Sequence, residues 1–311
     1  MYALFSETNA LLKAEVGRAG FIVPTGIATD AATSAFFGHL VAQKAISTLY
    51  DFENREKLFP EVDSRQRFCC FTLAPSDSIT VACYMTHPKQ LEDKRRIAHL
   101  SIDDFAGINP NTGTCPLFRC EADAALAVKL YQKAPILINE KTGENPWGVS
   151  FKQGLFNMTT ASHLFLTEKP EGEDVLPLYE GKLIHHYDHR FNIFTGDGEN
   201  VRNLTAEEHN DPSCEISPRY WVRRGDVISK LPKEIKEVPQ WFIGFRDICR
   251  ATDERTLIMS FLPFAGVGNK IPLLFPSTSP ELACCLLANG ISSVMDFVVR
   301  MKIGGVTMNF F

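Results

Sequence analysis

Apolar and polar positions alternate along the first 90 residues with two different periods. Helical spacing of apolar residues predicts one helix over 1–12 and another over 30–45, the second with an apolar face that includes Phe37 and Leu40. Short apolar runs predict strands at 17–24, 47–52, 68–73 and 79–84, with a polar loop at 53–66. The order strand, helix, strand, strand fits the second half of an α/β sheet that ends in a hairpin.

The pattern changes after a charged connector at 88–96. A helix is predicted over 121–133, and beyond it short apolar pieces are separated by Gly, Pro and Asn. A last helix is predicted over 281–302. We therefore expect an α/β protein with two domains, a partial Rossmann-like sheet in residues 1–90 and a mixed α+β domain in residues 91–311.

Both ends of the chain are apolar. The helix predicted from Met1 has no capping residue, and the chain closes on Phe310 and Phe311. Free apolar ends of this kind are unusual. They predict a fragment, truncated at the C-terminal end of the second domain as well.

Composition and charge limit the partners and the cellular compartment that we expect. The 311 residues carry a net charge of -5, and residues 101–180 account for all of it, so the remainder is balanced and leaves room for local basic clusters. Nine cysteines, an odd number without a CxxC spacing, indicate a reducing cytosol rather than a disulfide framework. We find no signal peptide and no apolar run of bilayer length. We therefore expect a cytoplasmic protein without a membrane partner.

Three arginines in the stretch GFRDICRATDERT at 244–256 are candidates for contacting nucleic acid. Arginine binds phosphate or guanine edges through two parallel hydrogen bonds, which suits Arg246, Arg250 and Arg255. The alternative is that the neighbouring acidic residues Asp247, Asp253 and Glu254 neutralise them as surface ion pairs.

The stretch 179–191 is the densest group of polar and aromatic residues. His185, Asp188 and His189 have ligand chemistry for a metal ion, but no fourth ligand stands at a suitable spacing. The alternation of the stretch predicts a strand, which separates neighbouring side chains. We therefore expect hydrogen bonding to DNA or within the core, and no metal.

One aromatic residue stands out in the loop at 53–66. An exposed Phe59 could stack on a base extruded from a duplex, and the alternative is a phenylalanine folded onto the core. Two segments imitate the polar-Pro-Pro-aromatic motif that holds the amino group of a flipped adenine, Asn145-Pro146-Trp147 and Asn109-Pro110-Asn111, and both indicate turns instead. The glycine pairs at 266–268 and 304–305 follow no strand suited to a nucleotide-like cofactor.

Taken in order, several segments resemble a known family, and the likeness extends over nearly the whole chain. GRAGFIVPT at 17–25, LYDFEN at 49–54, Phe59 and FCCFTL at 68–73 are similar to the late strands of the γ-type N6-adenine methyltransferase domain of type IIG restriction-modification enzymes. INPNTGTCPLFR at 108–119, PLYEGK at 177–182 and the stretch 244–256 resemble the target-recognition region that follows. Each motif is loose, but their order is specific.

The resemblance implies a reaction, and it implies which part of the intact enzyme carries out each step. The intact enzyme would extrude an adenine from double-stranded DNA and transfer a methyl group from S-adenosylmethionine to N6, with Phe59 stacked on the flipped base. The cofactor-binding strand and the catalytic motif lie upstream of Met1 in the family's order, as would any nuclease domain. We therefore expect no catalytic or cofactor-binding residue in this chain, no activity of the chain alone, and an N-terminal catalytic half as its partner.

The target-recognition region supplies the expected contacts with DNA. We predict that nine cations and polar residues contribute: Lys182, His185, Arg190, Arg219, Arg223, Arg246, Arg250, Arg255 and Lys270. Two alternatives remain open, a non-enzymatic DNA-binding specificity subunit and an α/β protein of another function.

Overall fold

The computed structural model of the protein describes residues 1–196, 198–235, 237–303 and 306–308, so the glycines at 304–305 and the two C-terminal phenylalanines lie outside the described residues. The chain forms two compact units. Unit 1 comprises residues 1–144 with 300–303, and unit 2 comprises residues 145–299 with 306–308. The sequence-based division was drawn at residue 90, whereas the first unit continues to residue 144.

A five-stranded sheet organises unit 1. Its elements are, in chain order, α1 (Tyr2–Leu12), β1 (Ala19–Pro24), α2 (Gly26–Thr29), α3 (Ser34–Ala42), β2 (Ile46–Glu53), β3 (Arg67–Leu73), β4 (Ser78–Met85), β5 (Ala98–Ser101), α4 (Ile102–Ile108) and α5 (Glu121–Lys133). The strand order is β1-β3-β2-β4-β5. Apolar side chains of the sheet and of α3 and α4 meet in the core, where Phe71 lies 6.1 Å from Phe37 and Phe37 lies 5.8 Å from Phe105, measured between ring centroids.

The predicted terminal hairpin is wrong. β3 and β4 follow each other in sequence, but β2 lies between them, antiparallel to β3 and parallel to β4. Alternation identifies a strand without identifying its neighbours, because the pairing depends on residues distant in sequence. The predicted second helix is also shorter than expected, since Lys44 adopts a left-handed φ of 54° directly after α3 and ends it.

The described residues of unit 2 form three small sheets around a core of their own. Its elements are β6 (Ser150–Lys152), β7 (Val175–Tyr179), β8 (Asn192–Phe194), β9 (Val201–Asn203), α6 (Ala206–Asn210), β10 (Trp221–Arg223), α7 (Arg224–Ser229), β11 (Trp241–Phe245), β12 (Met259–Pro263), β13 (Gly266–Val267), β14 (Leu273–Phe275), α8 (Pro280–Gly290) and α9 (Ser293–Lys302). The last three residues of α9, from Arg300 to Lys302, belong to unit 1. The sheets have the orders β10-β7-β13, β12-β11-β14-β6 and β8-β9. Phe156, Tyr179 and Phe242 are fully buried at the centre of this core.

The single helix predicted over 281–302 is broken into α8 and α9, which are bent by 62°. Gly290 ends α8 close to Met259, whose Sδ would lie 2.5 Å from a Cβ at that position. Ser292 then starts α9, because its hydroxyl accepts a hydrogen bond from the backbone N–H of Met295 at 3.1 Å. No single helix among the described residues is long and apolar enough to cross a membrane. The helices α8 and α9 reach that length and hydropathy only when the bent pair is counted as one segment.

Candidate nucleic-acid interface

The C-terminal ends of three strands lie side by side along one side of the sheet in unit 1, which we call the carboxyl edge. β1, β2 and β4 point the same way, because β2 is parallel to β4 while β1 and β2 are both antiparallel to β3. Ligands of open α/β sheets bind outside the carboxyl ends of such strands. The loop that leaves β2 at this edge carries Phe59, so the sequence-predicted stacking residue lies where the fold would place a ligand.

Phe59 is neither fully exposed nor folded into the core. Its ring packs edge-on against Phe68, with 4.8 Å between the ring centroids and 83° between the ring planes. Phe68 in turn stacks on the buried Phe52 at 5.4 Å and 9°. With 39% of its surface exposed, Phe59 keeps part of its ring open to solvent while the aromatic ladder beneath it supports the rest. Such a ring can receive the face of a base.

The loop 54–66 is tied down by its own polar residues. Thr86, just after β4, donates from its hydroxyl to the Glu56 carboxylate at 2.6 Å. Lys57 has a left-handed φ of 55° and donates to the carbonyl of Val62 at 2.9 Å. The loop is therefore folded back on the sheet edge, with Phe59 at the returning turn.

A buried ion pair lies beneath the same edge. Asp51 of β2 is fully buried and accepts hydrogen bonds from the guanidinium of Arg67, from the Thr25 hydroxyl at 2.6 Å and from the backbone N–H of Tyr84 at 2.9 Å. A bulge in β4, where Tyr84 has a φ of 57°, turns that N–H toward the carboxylate. Burial lowers the pKa of Arg67 and the Asp51 carboxylate raises it, with a net increase.

Tyr84 joins this pair to the loop after α4. The guanidinium carbons of Arg67 and Arg119 lie 4.6 and 4.7 Å from the centroid of its ring. Burial raises the pKa of Tyr84 to about 12, so the phenol stays neutral and its hydroxyl donates to the carbonyl of Arg300 at 3.4 Å. The exposed Arg119 brings a positive charge to this edge of the sheet.

The segment 108–119 forms a structured turn, as the sequence indicated for Asn109-Pro110-Asn111. Asn109 accepts from the backbone N–H of Gly113 at 2.7 Å, and its amide donates to the carbonyl of Thr114 at 2.8 Å. The ammonium of Lys302 donates to the Asn109 side chain, and burial lowers the pKa of Lys302 to about 8. The second imitation motif is also a turn, closed by a bond of 2.9 Å from the N–H of Gly148 to the carbonyl of Asn145.

In unit 2, the structure brings together the two polar stretches singled out in the sequence. The strand predicted across 179–191 is wrong, because β7 ends at Tyr179. His185 and Asp188 exchange backbone hydrogen bonds of 2.7 and 3.0 Å, and Tyr187 has a φ of 59°, which makes a tight turn. The N–H of Tyr187 donates to the carbonyl of Met259 at 3.3 Å. The turn is thereby fixed on the β11–β12 hairpin, whose outgoing segment carries Arg246.

The histidines of this turn have depressed basicity. Burial, followed by the charge of Arg246, lowers the pKa of His185. Burial and the charge of Arg255 lower the pKa of His186 to about 4, and burial lowers that of His189. Neutral imidazoles offer one donor and one acceptor each. Across the described residues, no group of three His, Cys, Asp or Glu side chains is arranged to hold a metal ion.

Three of the predicted DNA-contacting arginines donate to backbone carbonyls within unit 2. Arg246 donates from Nε to Ile184 at 2.9 Å, and Arg255 donates to Ile291. Arg190 donates to three carbonyls, at 2.9 to 3.0 Å, those of His209, Asp211 and Cys214. These guanidinium groups are bonded to the backbone of unit 2, so that only N–H groups not used in these bonds can contact a ligand.

Other predicted cations lie in ion pairs. Arg219 pairs with Glu180 at 3.5 Å, Arg223 with Glu173 at 3.2 Å, and Lys270 with the buried Asp247 at 2.9 Å. Asp247 therefore neutralises a lysine rather than one of the arginines beside it in sequence. Two further cations are exposed: Lys182, 4.9 Å from the ring centroid of Phe194, and Arg250.

Sequence reasoning missed two residues of these sites. Tyr187 is 68% exposed at the tip of the turn, yet the alternation around it suggested a strand. Asn54 is fully buried and organises the loop of Phe59. A polar residue directly after a strand and before a loop that carries an aromatic was the available signal for Asn54, and the pairing itself needed the fold.

No protein-family model and no curated protein matches the chain. Among solved structures, it is similar to the type IIG restriction endonuclease BpuSI, with 15% sequence identity, a TM-score of 0.37 and coverage of 99% of this chain and 40% of that one. It is also similar to the type IIL restriction-modification enzyme MmeI, solved in complex with DNA, with 12% identity, a TM-score of 0.40 and coverage of 92% of this chain and 36% of that one. The chain thus spans 40% or less of the length of both.

Proposed function

We propose that this chain is the DNA-recognition part of a site-specific DNA adenine-N6 methyltransferase of the restriction-modification type. Unit 1 supplies one wall of the site for the extruded base, and unit 2 contributes sequence recognition. The observation that carries the proposal is the half-exposed ring of Phe59, supported by Phe68 and Phe52 at the carboxyl edge of β1, β2 and β4. The order of the family-like segments along the sequence supports the same proposal.

The chemistry of this chain is stacking and positioning. An adenine taken out of a duplex loses its stacking partners, and an aromatic ring in the protein compensates for part of that loss. Phe59 provides such a ring. The methyl group comes from S-adenosylmethionine, which in this proposal is held by a catalytic half with the Asn/Asp-Pro-Pro-aromatic motif.

The turn after β1 in unit 1 does not fit that cofactor. The turn after β1 begins Thr25-Gly26, but a Cβ at Gly26 would lie 2.3 Å from Oδ2 of Asp30 and 3.1 Å from the Tyr2 hydroxyl. The Asp30 side chain fills the space at this turn and leaves no room for a ligand against the glycine backbone. We therefore assign no step of methyl transfer to this chain alone.

Unit 2 offers the groups that read base edges and phosphates. The turn 185–188 combines an exposed tyrosine with neutral imidazoles, and Arg246 and Arg255 lie beside it. Imidazole and guanidinium groups hydrogen-bond to bases in the major groove, and exposed cations such as Arg250 contact phosphates. This arrangement favours duplex DNA as the ligand of unit 2.

An apolar surface on unit 1 fits the expected catalytic partner. Leu11 and Leu12 of α1 are 81% and 79% exposed, and Ile22 of the neighbouring edge strand β1 is 52% exposed. An open strand edge beside exposed leucines is a surface that proteins normally cover. In the proposal, the catalytic half covers it.

A non-enzymatic specificity subunit is the second candidate. The independent core of unit 2, around Phe156, Tyr179 and Phe242, favours this reading, because a module with its own core can bind DNA without a catalytic partner. The exposed apolar side chains beside the edge strand β1 in unit 1 argue against it, since a binding module has no need of such a surface.

Methyl transfer distinguishes the two candidates. We expect no transfer from labelled S-adenosylmethionine to duplex DNA by the chain alone, and transfer to adenine when it is combined with a catalytic half of a type IIG enzyme. Phe59→Ala in the combined protein should reduce transfer by about tenfold, the effect of one lost stacking contact. Leu11→Lys with Leu12→Lys should weaken the combination. DNA binding without methyl transfer in any combination would favour the specificity subunit, and transfer by the chain alone would refute the proposal.

A further inference from the structure

The backbone that carries Phe59 is held by one buried side chain. Asn54 is fully buried, and its Nδ2 donates to the carbonyls of Phe59 and Val62, each at 2.9 Å. Its Oδ1 accepts from the backbone N–H of Phe59, also at 2.9 Å. The donor and the acceptor of the Phe59 backbone are therefore both bonded to the same amide.

The remainder of the loop closes around this amide. The backbone N–H of Asn54 donates to the carbonyl of Gln66 at 3.0 Å, which joins the two ends of the loop. The N–H of Lys57 donates back to the carbonyl of Asn54 at 3.0 Å, and the left-handed φ of Lys57 reverses the chain. The turn is thus complete without a ligand, and the ring of Phe59 is set against Phe68.

We propose that Asn54 is a positioning residue that preforms a stacking platform for an unpaired nucleobase on Phe59. This inference rests on the proposed function, because it takes the base as the ligand of the ring. A platform fixed in advance binds more tightly than a mobile loop, since the conformational entropy of ordering is already lost before the ligand arrives. The chain alone should then recognise an unpaired base, without its catalytic partner.

The bonding pattern requires an amide at position 54. Two donors and one acceptor are used, and only asparagine among residues of this size supplies two donors together with an acceptor. Asn54→Asp keeps the acceptor for the Phe59 N–H but sets a carboxylate against two carbonyl oxygens. Asn54→Leu keeps the size and removes all three bonds.

The first test measures base stacking. The probe is a duplex with 2-aminopurine opposite an abasic site, whose fluorescence reports stacking on an aromatic ring. We expect a fluorescence change with the wild-type chain, and a loss of affinity of about tenfold with Phe59→Leu, Asn54→Leu and Asn54→Asp. Asn145→Leu is the matched control, because Asn145 makes two similar bonds of 2.9 Å with Val149 in a turn of unit 2.

The second test needs no DNA. Trypsin cleavage after the exposed Lys57 reports opening of the loop, because the bond must leave its folded geometry to be cut. We expect cleavage to be at least about tenfold faster in both Asn54 variants than in the wild type, since buried hydrogen-bonding groups lose their partners. Asn145→Leu should cleave at this site at the wild-type rate. Asn54→Asp serves as the readout if Asn54→Leu does not fold.

The outcomes separate this inference from the function on which it rests. Loosened loops with weakened stacking in the Asn54 variants support it. Wild-type stacking or wild-type cleavage rates in those variants overturn it. If the wild type and Phe59→Leu respond identically to the probe while the Asn54 variants still loosen, base stacking on Phe59 is refuted, and the positioning inference with it.

Discussion

Arg67→Met isolates a carboxylate inside unit 1. The substitution keeps an apolar stem of similar length and removes the guanidinium that bonds to Asp51. Asp51 has no exposed surface, and the Arg67 side chain is 13% exposed, so water cannot replace the lost partner. The Thr25 hydroxyl at 2.6 Å and the Tyr84 N–H at 2.9 Å remain as the donors to the carboxylate.

Breaking a buried ion pair from one side costs about 3–5 kcal/mol, because the other charge stays behind. Two retained hydrogen bonds favour the lower end, and we expect a loss of about 3 kcal/mol in the free energy of unfolding. Arg65→Met is the matched control. Arg65 forms a two-bond pair with Asp63 at 2.9 and 3.0 Å, but its side chain is 88% exposed, so its removal should leave the stability unchanged.

Urea unfolding followed by circular dichroism measures the effect. The three tryptophans, Trp147, Trp221 and Trp241, all lie in unit 2, so their fluorescence provides a separate signal for that unit. A loss of this size lowers the midpoint of the unit 1 transition by roughly 1–2 M urea. Asp51→Asn combined with Arg67→Met should recover part of the loss. Equal midpoints for Arg67→Met and Arg65→Met would refute the argument from burial.

Three further predictions concern unit 2. Tyr187→Gly removes an exposed ring from a left-handed backbone position, which strains any residue but glycine. Urea unfolding should therefore show equal or greater stability while a titration shows weaker DNA binding, and lower stability would contradict strain at this position. Arg190→Ala should lower the urea midpoint because three carbonyls lose their donor, whereas Arg250→Ala should not. As the pH falls, His186 is protonated in the unfolded chain before it is protonated in the folded chain, where its pKa is about 4. Stability should therefore be full above about pH 6.5 and fall toward pH 4. His186→Phe should flatten this pH profile of urea midpoints, and an unchanged profile would assign the pH dependence to other groups.

Local sequence signals predicted the elements that depend on local interactions. α5 spans Glu121–Lys133 as predicted, because its apolar spacing and acidic first turn are both contained in those residues. β1 ends at Pro24, where the missing N–H prevents further pairing. The break after Gly290 was missed, and the approach of Met259 from a distant strand, which leaves no room for a side chain at position 290, gives no signal in the local sequence.

The candidate site likewise has residues that the sequence indicates and contacts that only the fold reveals. Phe59 could be singled out because aromatic residues in polar loops are uncommon, but its partial exposure depends on Phe68 and on the amide of Asn54. The sequence shows the charges of the arginines without their acceptors. Arg246 is directed to the carbonyl of Ile184, 62 residues away, and no spacing rule indicates such a partner.

Binding of the purified chain to duplex DNA, measured by fluorescence anisotropy over a series of salt concentrations, tests whether the chain is a DNA-recognition part. We expect binding at low salt that weakens steeply as salt is added, because phosphate contacts release counterions. Arg250→Ala should reduce the slope of log affinity against log salt by about one. A folded chain that does not bind duplex DNA at low salt, or that binds with an affinity independent of salt, would contradict a DNA-recognition role.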